Sequence, residues 1–328
     1  GLATGDPTSD GSWAPSLLSA CCDPGLAYAM VEALYFGRDN QGSRQPIVLD
    51  LDRPGDENVI LSTQSLSHPF EPGLRARLGY QLRNCHVIEA EYLGLFGARN
   101  HWRVTGDGSL AIPGDLGLSS NDFYDADDMD LTHKWGLHSG ELNCVKRCEC
   151  CCCDCCARLH RHWREWFVGL RYLSFDEEFN IRSTDLDEGT SDYNIRAHND
   201  LFGVQIGGRW GRSRGRWGWE LMGKAGLFGN ACGQEQYVTD FPPPFFLRPR
   251  TGHDSGQLAF VGELGCSLRY QLTDVWAVRG GYNLMLIEGV ALATDQLDFT
   301  NTDQSGSALA KDGGVFLHGV NVGLEARW

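Results

Sequence analysis

The sequence predicts an all-β chain, a transmembrane antiparallel up-and-down β-barrel of about ten strands. Three observations carry this. Apolar and polar residues alternate with period two in stretches that recur from residue 27 to the end, many exceeding the usual globular strand of about five or six residues. The connections between them are alternately short and long, the pattern of a barrel with tight periplasmic turns and large outer loops. No apolar run approaches the roughly 18 residues of a membrane helix, so any crossing must be made by strands, whose apolar surface is hidden in the alternation.

The 328 residues suffice for one large all-β domain, and a hydrophobic content of 42% is that of a folded chain. A net charge of −15 argues against nucleic acid as a partner. Glycine, at 41 residues against 12 prolines, suits twisted strands in close contact. Gly1 without a leader pattern reads as a processed, exported form.

Residues 1–26 read as a non-strand lead, either a periplasmic segment or a plug, and 27–328 as the barrel. The first strand is expected at 27–40. The clearest alternation is LRARLGYQLR at 74–83, with Leu74, Ala76, Leu78, Tyr80 and Leu82 on one face and Arg75, Arg77, Gln81 and Arg83 on the other. The next stretch, 86–99, puts Ile88, Ala90, Tyr92 and Phe96 opposite Glu89 and Glu91. A tight turn at Asn84 and Cys85 would bring Arg77 beside Glu91. Further strands are expected at 129–147, 163–184, 192–212, 216–238, 256–272, 275–294 and 313–328. Short turns fall near 83–85, 212–215 and 272–274, and long outer connections at 41–68, 100–128, 239–255 and 295–312. Trp163, Trp166, Trp210, Trp217, Trp219 and Trp276 lie near the inner strand ends, where rings favour the headgroup level. The final strand alternates to an aromatic terminus at Trp328, a pattern that resembles the signal read by the bacterial barrel-assembly machinery.

The polar face, read strand by strand, directs Glu32, Arg75, Arg77, Glu89, Glu91, Glu141, Arg171, Arg209, Glu220, Lys224, Glu263, Arg269, Arg279, Glu325 and Arg327 inward. Both signs occur in similar number, as a self-compensating network requires. A barrel of about eight strands holds little beyond side chains and open porins use about sixteen, so this lumen should be largely plugged.

The outer loops hold His101, Asp122, Asp125, Asp127, Asp128, Asp130, His133 and His253. An Asp/His cluster can activate water, but a solvated acidic surface is the simpler reading. NDFYDADDMD at 121–130 and STDLDEGTSD at 183–192 are rich in hard oxygen ligands, which makes Asp125, Asp127 and Asp128 candidates for calcium, although the spacing is not that of an EF-hand.

The segment CVKRCECCCCDCC at 144–156, expected as a cysteine-rich periplasmic turn, is unusual. Disulfides come first in an oxidising compartment, among Cys144, Cys148, Cys150, Cys151, Cys152, Cys153, Cys155 and Cys156, with Cys21 and Cys22 as partners from the lead. A thiolate-bound metal is the second reading, and unpaired or intermolecular thiols the third. Haem attachment is disfavoured because no C-x-x-C-H occurs. Cys266 falls on the lipid-facing parity of its strand.

GLRYLSFDEEF at 169–179, HNDLFGVQIGG at 198–208, AFVGELGCSLRYQLTDVWAVRGGYNLMLIEGVALATDQL at 259–297, HSGELN at 138–143, FEPGLRARLGYQL at 70–82 and the terminal GVFLHGVNVGLEARW resemble the core motifs of the planctomycete BBP-type outer-membrane beta-barrel proteins. The likeness covers most of 27–328. It implies a barrel in the cell outer membrane and carries over no catalytic residue. The cysteine-rich turn departs from that family's pattern. The expectation is therefore a non-enzymatic outer-membrane barrel with a structural or surface-scaffolding role. A narrow porin-like channel for ions or small solutes is the alternative, and a loop-borne hydrolase a weaker one. Expected partners are the lipid bilayer, the barrel-assembly machinery, and further copies or surface-lattice proteins. No cofactor is expected beyond the calcium and thiolate-metal candidates.

Overall fold

The computed structural model describes residues 27–40, 44–53, 58–82, 86–117, 122–147, 162–187, 189–241 and 245–328. Ten strands close a ring: β1 (Ala27–Asn40), β4 (Glu71–Gln81), β5 (His86–Ala111), β6 (Ala126–Arg147), β7 (Trp163–Asp185), β8 (Gly189–Arg214), β9 (Trp217–Phe241), β10 (Phe245–Gln271), β11 (Trp276–Val290) and β12 (Gly313–Arg327). Every neighbouring pair is antiparallel, and β1 meets β12 to complete the closure. Closure leaves no edge in the ring, which is what lipid demands of a backbone that has no water to bond. A short hairpin, β2 (Pro46–Asp50) and β3 (Val59–Ser62), attaches to the outer end of β5.

Period two sets the outward face. Val31, Leu78, Leu142, Val168, Val204, Leu227, Leu264 and Val322 are exposed around the membrane half. Trp166, Trp210, Trp217, Trp276 and Trp328 mark its inner rim, all exposed. Trp163 does not join them: its ring turns to the inner side and lies over Gly211, where an added Cβ would overlap it. Gly79 is required for the same reason, because the Tyr28 ring crosses it where a Cβ would stand.

The strands are of unequal length. β5 to β10 run for 22 to 27 residues, whereas β1, β4, β11 and β12 run for 11 to 15. The long strands rise beyond the lipid-facing belt as an outer wall. Two expected loops are thereby corrected. Residues 100–111 continue β5, and 239–255 is nearly all strand, with only 242–244 between β9 and β10. Both were masked by bulges: the register slips between Leu95 and Ala98, between Thr105 and Leu110, and twice between Phe246 and Thr251. Each slip reverses the alternation and erases the period from the sequence.

The connection from β11 to β12 turns inward rather than outward. Gly289, at φ +80°, lets the chain leave β11, and Ala291, Leu292, Ala293, Leu297 and Phe299 are then buried inside the outer wall.

Candidate functional site

The interior is layered along the barrel axis. At the inner end, Val87, Val145 and Phe167 form a small apolar cluster. The charge network lies around and above it. Arg209 grips Glu89 with two nitrogens, at 2.7 and 2.5 Å, and reaches Glu165 at 3.2 Å. Arg147 donates to the same Glu165 at 2.7 Å. Arg77 pairs with Glu91, its direct cross-strand neighbour, at 2.5 Å. Lys224 sits among Glu141 at 2.5 Å, Glu263 at 3.2 Å and Glu91 at 3.5 Å. Arg171 crosses the lumen to Glu263 at 2.5 Å, and Arg75 joins Glu32 and Glu91, both at 3.5 Å. On the far wall Arg279 links Glu32, Glu220 and Glu325, Arg269 meets Glu325 at 3.5 Å, and Arg327 donates to Glu325 at 2.5 Å.

Of the fifteen charges assigned inward from parity, thirteen are linked through these contacts, and Glu89 and Arg209 form a second group with Glu165 and Arg147. Nearly equal numbers of cations and carboxylates, with Asn143, Gln205, Asn283 and Asn321 between them, compensate one another in charge across the lumen. Sequence reading missed Arg147 and Glu165, although each shares the parity of an assigned neighbour, Glu141 and Arg171.

The next layer is apolar. Leu34 and Phe36 of β1, Leu93 and Leu95 of β5, Trp135 and Leu137 of β6, Leu173 and Phe175 of β7, Leu201, Phe228, Ala259 and Val261, Met285 and Ile287, and Val315 and Leu317 form one buried cluster. Every ring strand except β4 contributes, so the layer spans the lumen. Leu292 of the inturned segment caps it.

A polar girdle follows. Arg38 pairs with Glu177 and stacks its guanidinium on Trp135 and Phe175 at 5.4 and 5.3 Å. Glu177 also accepts the Ala293 N–H at 2.6 Å and lies 3.6 Å from His133, which bonds His68 at 2.9 Å. Burial, then the charges of Arg38 and His133, pushes His68 down to about 3. Burial and the Glu177 charge raise Asp295 to about 6. His133 was expected on an outer loop; it is inside the wall because β6 continues past the lipid belt with unchanged parity.

The outer half is closed by the inturned segment. Asn199 bonds both the N–H and the C=O of Ala291, at 2.7 and 2.8 Å. Asn230 donates to Gly289 O at 2.9 Å, and Gln234 to Gly306 O at 2.7 Å and Ala308 O at 3.0 Å. Arg248 and Tyr193 hold the Asp298 backbone. Around it, Ile47, Leu110, Phe123, Met129, Leu131, Phe179, Ile181, Ile195, Val238 and Phe299 make a core like that of a soluble protein.

The remaining candidates do not converge. Arg103 takes Asp128 at 2.7 Å, and Asp127 accepts the Leu186 N–H at 2.8 Å. Asp125 sits at a left-handed turn, φ 56°. Among the described residues no three metal-ligating side chains gather. His101 bonds Asp130 at 3.0 Å on the exposed wall, whereas Asp122 is buried, its carboxyl raised to about 6 by burial and by Asp240. Cys144 is corrected: it belongs to β6 and faces outward between Ile88 and Val168, away from the lumen and without a disulfide partner among the described residues. Cys232 and Cys266 are also unpaired among the described residues, and Cys266 faces lipid. The segment 1–26, with Cys21 and Cys22, and Cys148, Cys150, Cys151, Cys152, Cys153, Cys155 and Cys156 lie outside the described residues.

A closed ring of ten antiparallel strands with an apolar belt and an aromatic rim is an outer-membrane β-barrel, and the cell outer membrane is where this protein resides. The family described as "Putative beta barrel porin-7 (BBP7)" matches residues 35–237, and the chain belongs to it. No curated protein matches the chain. Among solved structures it is similar to the outer membrane protease OmpT from Escherichia coli, at 8% identity, covering 93% of this chain and 97% of that one, with a TM-score of 0.45. It is also similar to the translocator domain of the autotransporter NalP from Neisseria meningitidis, at 11% identity over 95% and 93% with a TM-score of 0.37. A major outer membrane protein from Thermus thermophilus is similar at 9% identity over 92% and 99%, with a TM-score of 0.34.

Proposed function

We propose that the protein is a sealed outer-membrane barrel with a structural, surface-scaffolding role. The observation that supports this reading best is the apolar layer contributed by nine of the ten ring strands. Such a layer offers a hydrated ion no polar partner, and isolated charge is expensive there. It stands between two further barriers, a self-paired charge network below and a hydrogen-bonded segment above. The outer wall, polar outside and packed inside, is a rigid platform to present to neighbours. In osmotic-swelling assays, proteoliposomes carrying the inserted protein should swell in sugars and amino acids no faster than empty liposomes. Atomic force microscopy of outer-membrane sheets should show ordered arrays. Rapid swelling together with solitary barrels would sink the scaffold reading.

The family's porin description favours a second reading, a narrow channel for ions or small solutes. In it the segment 291–312 must leave the outer half and the apolar layer must part. The same swelling assay then reports solute entry.

A further inference from the structure

Two side-chain constellations at the outer rim of the lipid belt repeat each other. Tyr92 bonds His138 Nδ1 at 2.8 Å, and Phe96 lies against the same imidazole at 5.8 Å between ring centroids. On the other side of the barrel, Tyr282 bonds His318 Nδ1 at 2.6 Å, and Phe70 lies against that imidazole at 5.3 Å. Their heights agree. His138 pairs with Ser174, eight residues beyond Trp166 on β7, and His318 pairs with Leu284, eight residues beyond Trp276 on β11. Eight residues on a strand tilted by about 40° rise about 20 Å, so both histidines stand at the far edge of the apolar belt from the tryptophans.

In the tautomer in which the phenol donates to Nδ1, the imidazole offers its N–H at Nε2, the nitrogen not held by the tyrosine. Each also shares its surroundings with a carboxylate. Asp39 lies 3.9 Å from His318 Nε2. Asp176, one strand over from His138 and one step outward, shares with it a cleft of about 700 Å³ that opens directly above the belt. Every site therefore combines an oriented N–H donor, an acceptor of opposite character, and aromatic faces that attract a cation.

We propose that the two sites are clamps for the headgroup of a zwitterionic phospholipid, phosphatidylethanolamine in type. The phosphate accepts from His138 Nε2 or His318 Nε2, and the ammonium rests between the aspartate and the rings. The acyl chains lie on the apolar belt immediately below, so each clamp continues an interface the barrel already has. At His318 a purely anionic headgroup fits less well, because Asp39 lies beside Nε2.

Native mass spectrometry of the full barrel, released from nanodiscs with equal phosphatidylethanolamine and phosphatidylglycerol, tests this. The expected result is retention of phosphatidylethanolamine, one molecule per clamp. H138A and H318A each lose one, and H138Q and H318Q, which keep an N–H near the same place, retain it. Y92F and Y282F, which free the tautomer, weaken retention about threefold to tenfold, as expected for one hydrogen bond. Folding of every variant is read independently from the heat-dependent gel shift of the barrel. Equal retention of both lipids, preference for phosphatidylglycerol, or retention unchanged in folded H138A/H318A would overturn the proposal.

Discussion

The two halves of this barrel are built on opposite principles. In the membrane half the outward row is apolar, Leu142, Val168, Val204 and Leu227, and much of the inward row is charged. In the outer half the outward row is charged, with Lys134, Glu178 and Arg196 adjacent on three strands, while the inward row is Met129, Leu131, Phe179, Ile181 and Ile195. β6 to β9 run through both with unchanged parity. The solvent outside dictates the outward row, lipid below and water above. The inside then closes by whatever its own residues permit, mutual ion pairing below and hydrophobic packing above.

The comparison is sharpened most by removing one charge from the lower half. Arg209→Met leaves Glu89 buried without its ion-pair partner and Glu165 with Arg147 alone, and should cost about 3–5 kcal/mol. Urea unfolding in micelles checks this, and the double variant E89Q/R209M should recover much of the loss. A neutral R209M would mean that the network is hydrated and the two halves less different than described.

Phe179→Ala should cost an amount toward the lower end of about 3–5 kcal/mol, but in the outer half alone. Proteolysis would then cut the outer wall while the lipid-embedded half keeps its gel mobility. Simultaneous loss of both halves would show that they unfold as one unit.

Asn199→Ala removes both bonds to Ala291 and leaves two buried backbone groups unpaired, about 1–3 kcal/mol. Faster amide exchange confined to 289–312 is expected.

The smallest effect is pH dependence, and it belongs to the outer half. Asp122 and Asp295, raised to about 6, bind protons in the folded state that the unfolded chain does not bind until about pH 3.9. They therefore favour folding as pH falls through that window. His68, lowered to about 3, works in the opposite sense: the unfolded imidazole takes a proton below about 6.5, so its contribution is lost as pH falls. In D295N the outer half should gain less stability between pH 6 and 4 than in the parent, read by proteolysis across pH.

The membrane half was legible because lipid enforces one rule on every strand. Alternation at 74–83 and 86–99 carried even the Arg77–Glu91 register. The outer half was only partly legible because the polarity of the inward row changes in mid-strand. Along β6 the inward positions pass from Met129, Leu131, Trp135 and Leu137 to Ser139, Glu141 and Asn143, so the acidic outward residues before Lys134 look like a loop. Arg38 and Glu177 share the parity of Glu32 and Arg171 but lie on different strands, and only the closed ring brings them together. The inturned segment 291–312 was misplaced from the sequence, 291–294 as the end of β11 and 295–312 as an outer loop, whereas β11 ends at Val290. Its hydrogen-bond partners, Asn199, Gln234 and Arg248, come from three other strands, and its apolar residues are too few to form a period.

In the proposed sealed barrel, the apolar layer above the charge network closes the lumen by packing rather than by a movable loop. Single-channel recording in a planar bilayer tests it most directly, on the parent protein and on a variant in which 291–311 is replaced by a short turn. The account predicts no discrete current steps from either, because the layer of Leu34, Leu95, Leu137, Phe175, Phe228 and Ile287 remains. Reproducible steps from the parent protein would contradict it.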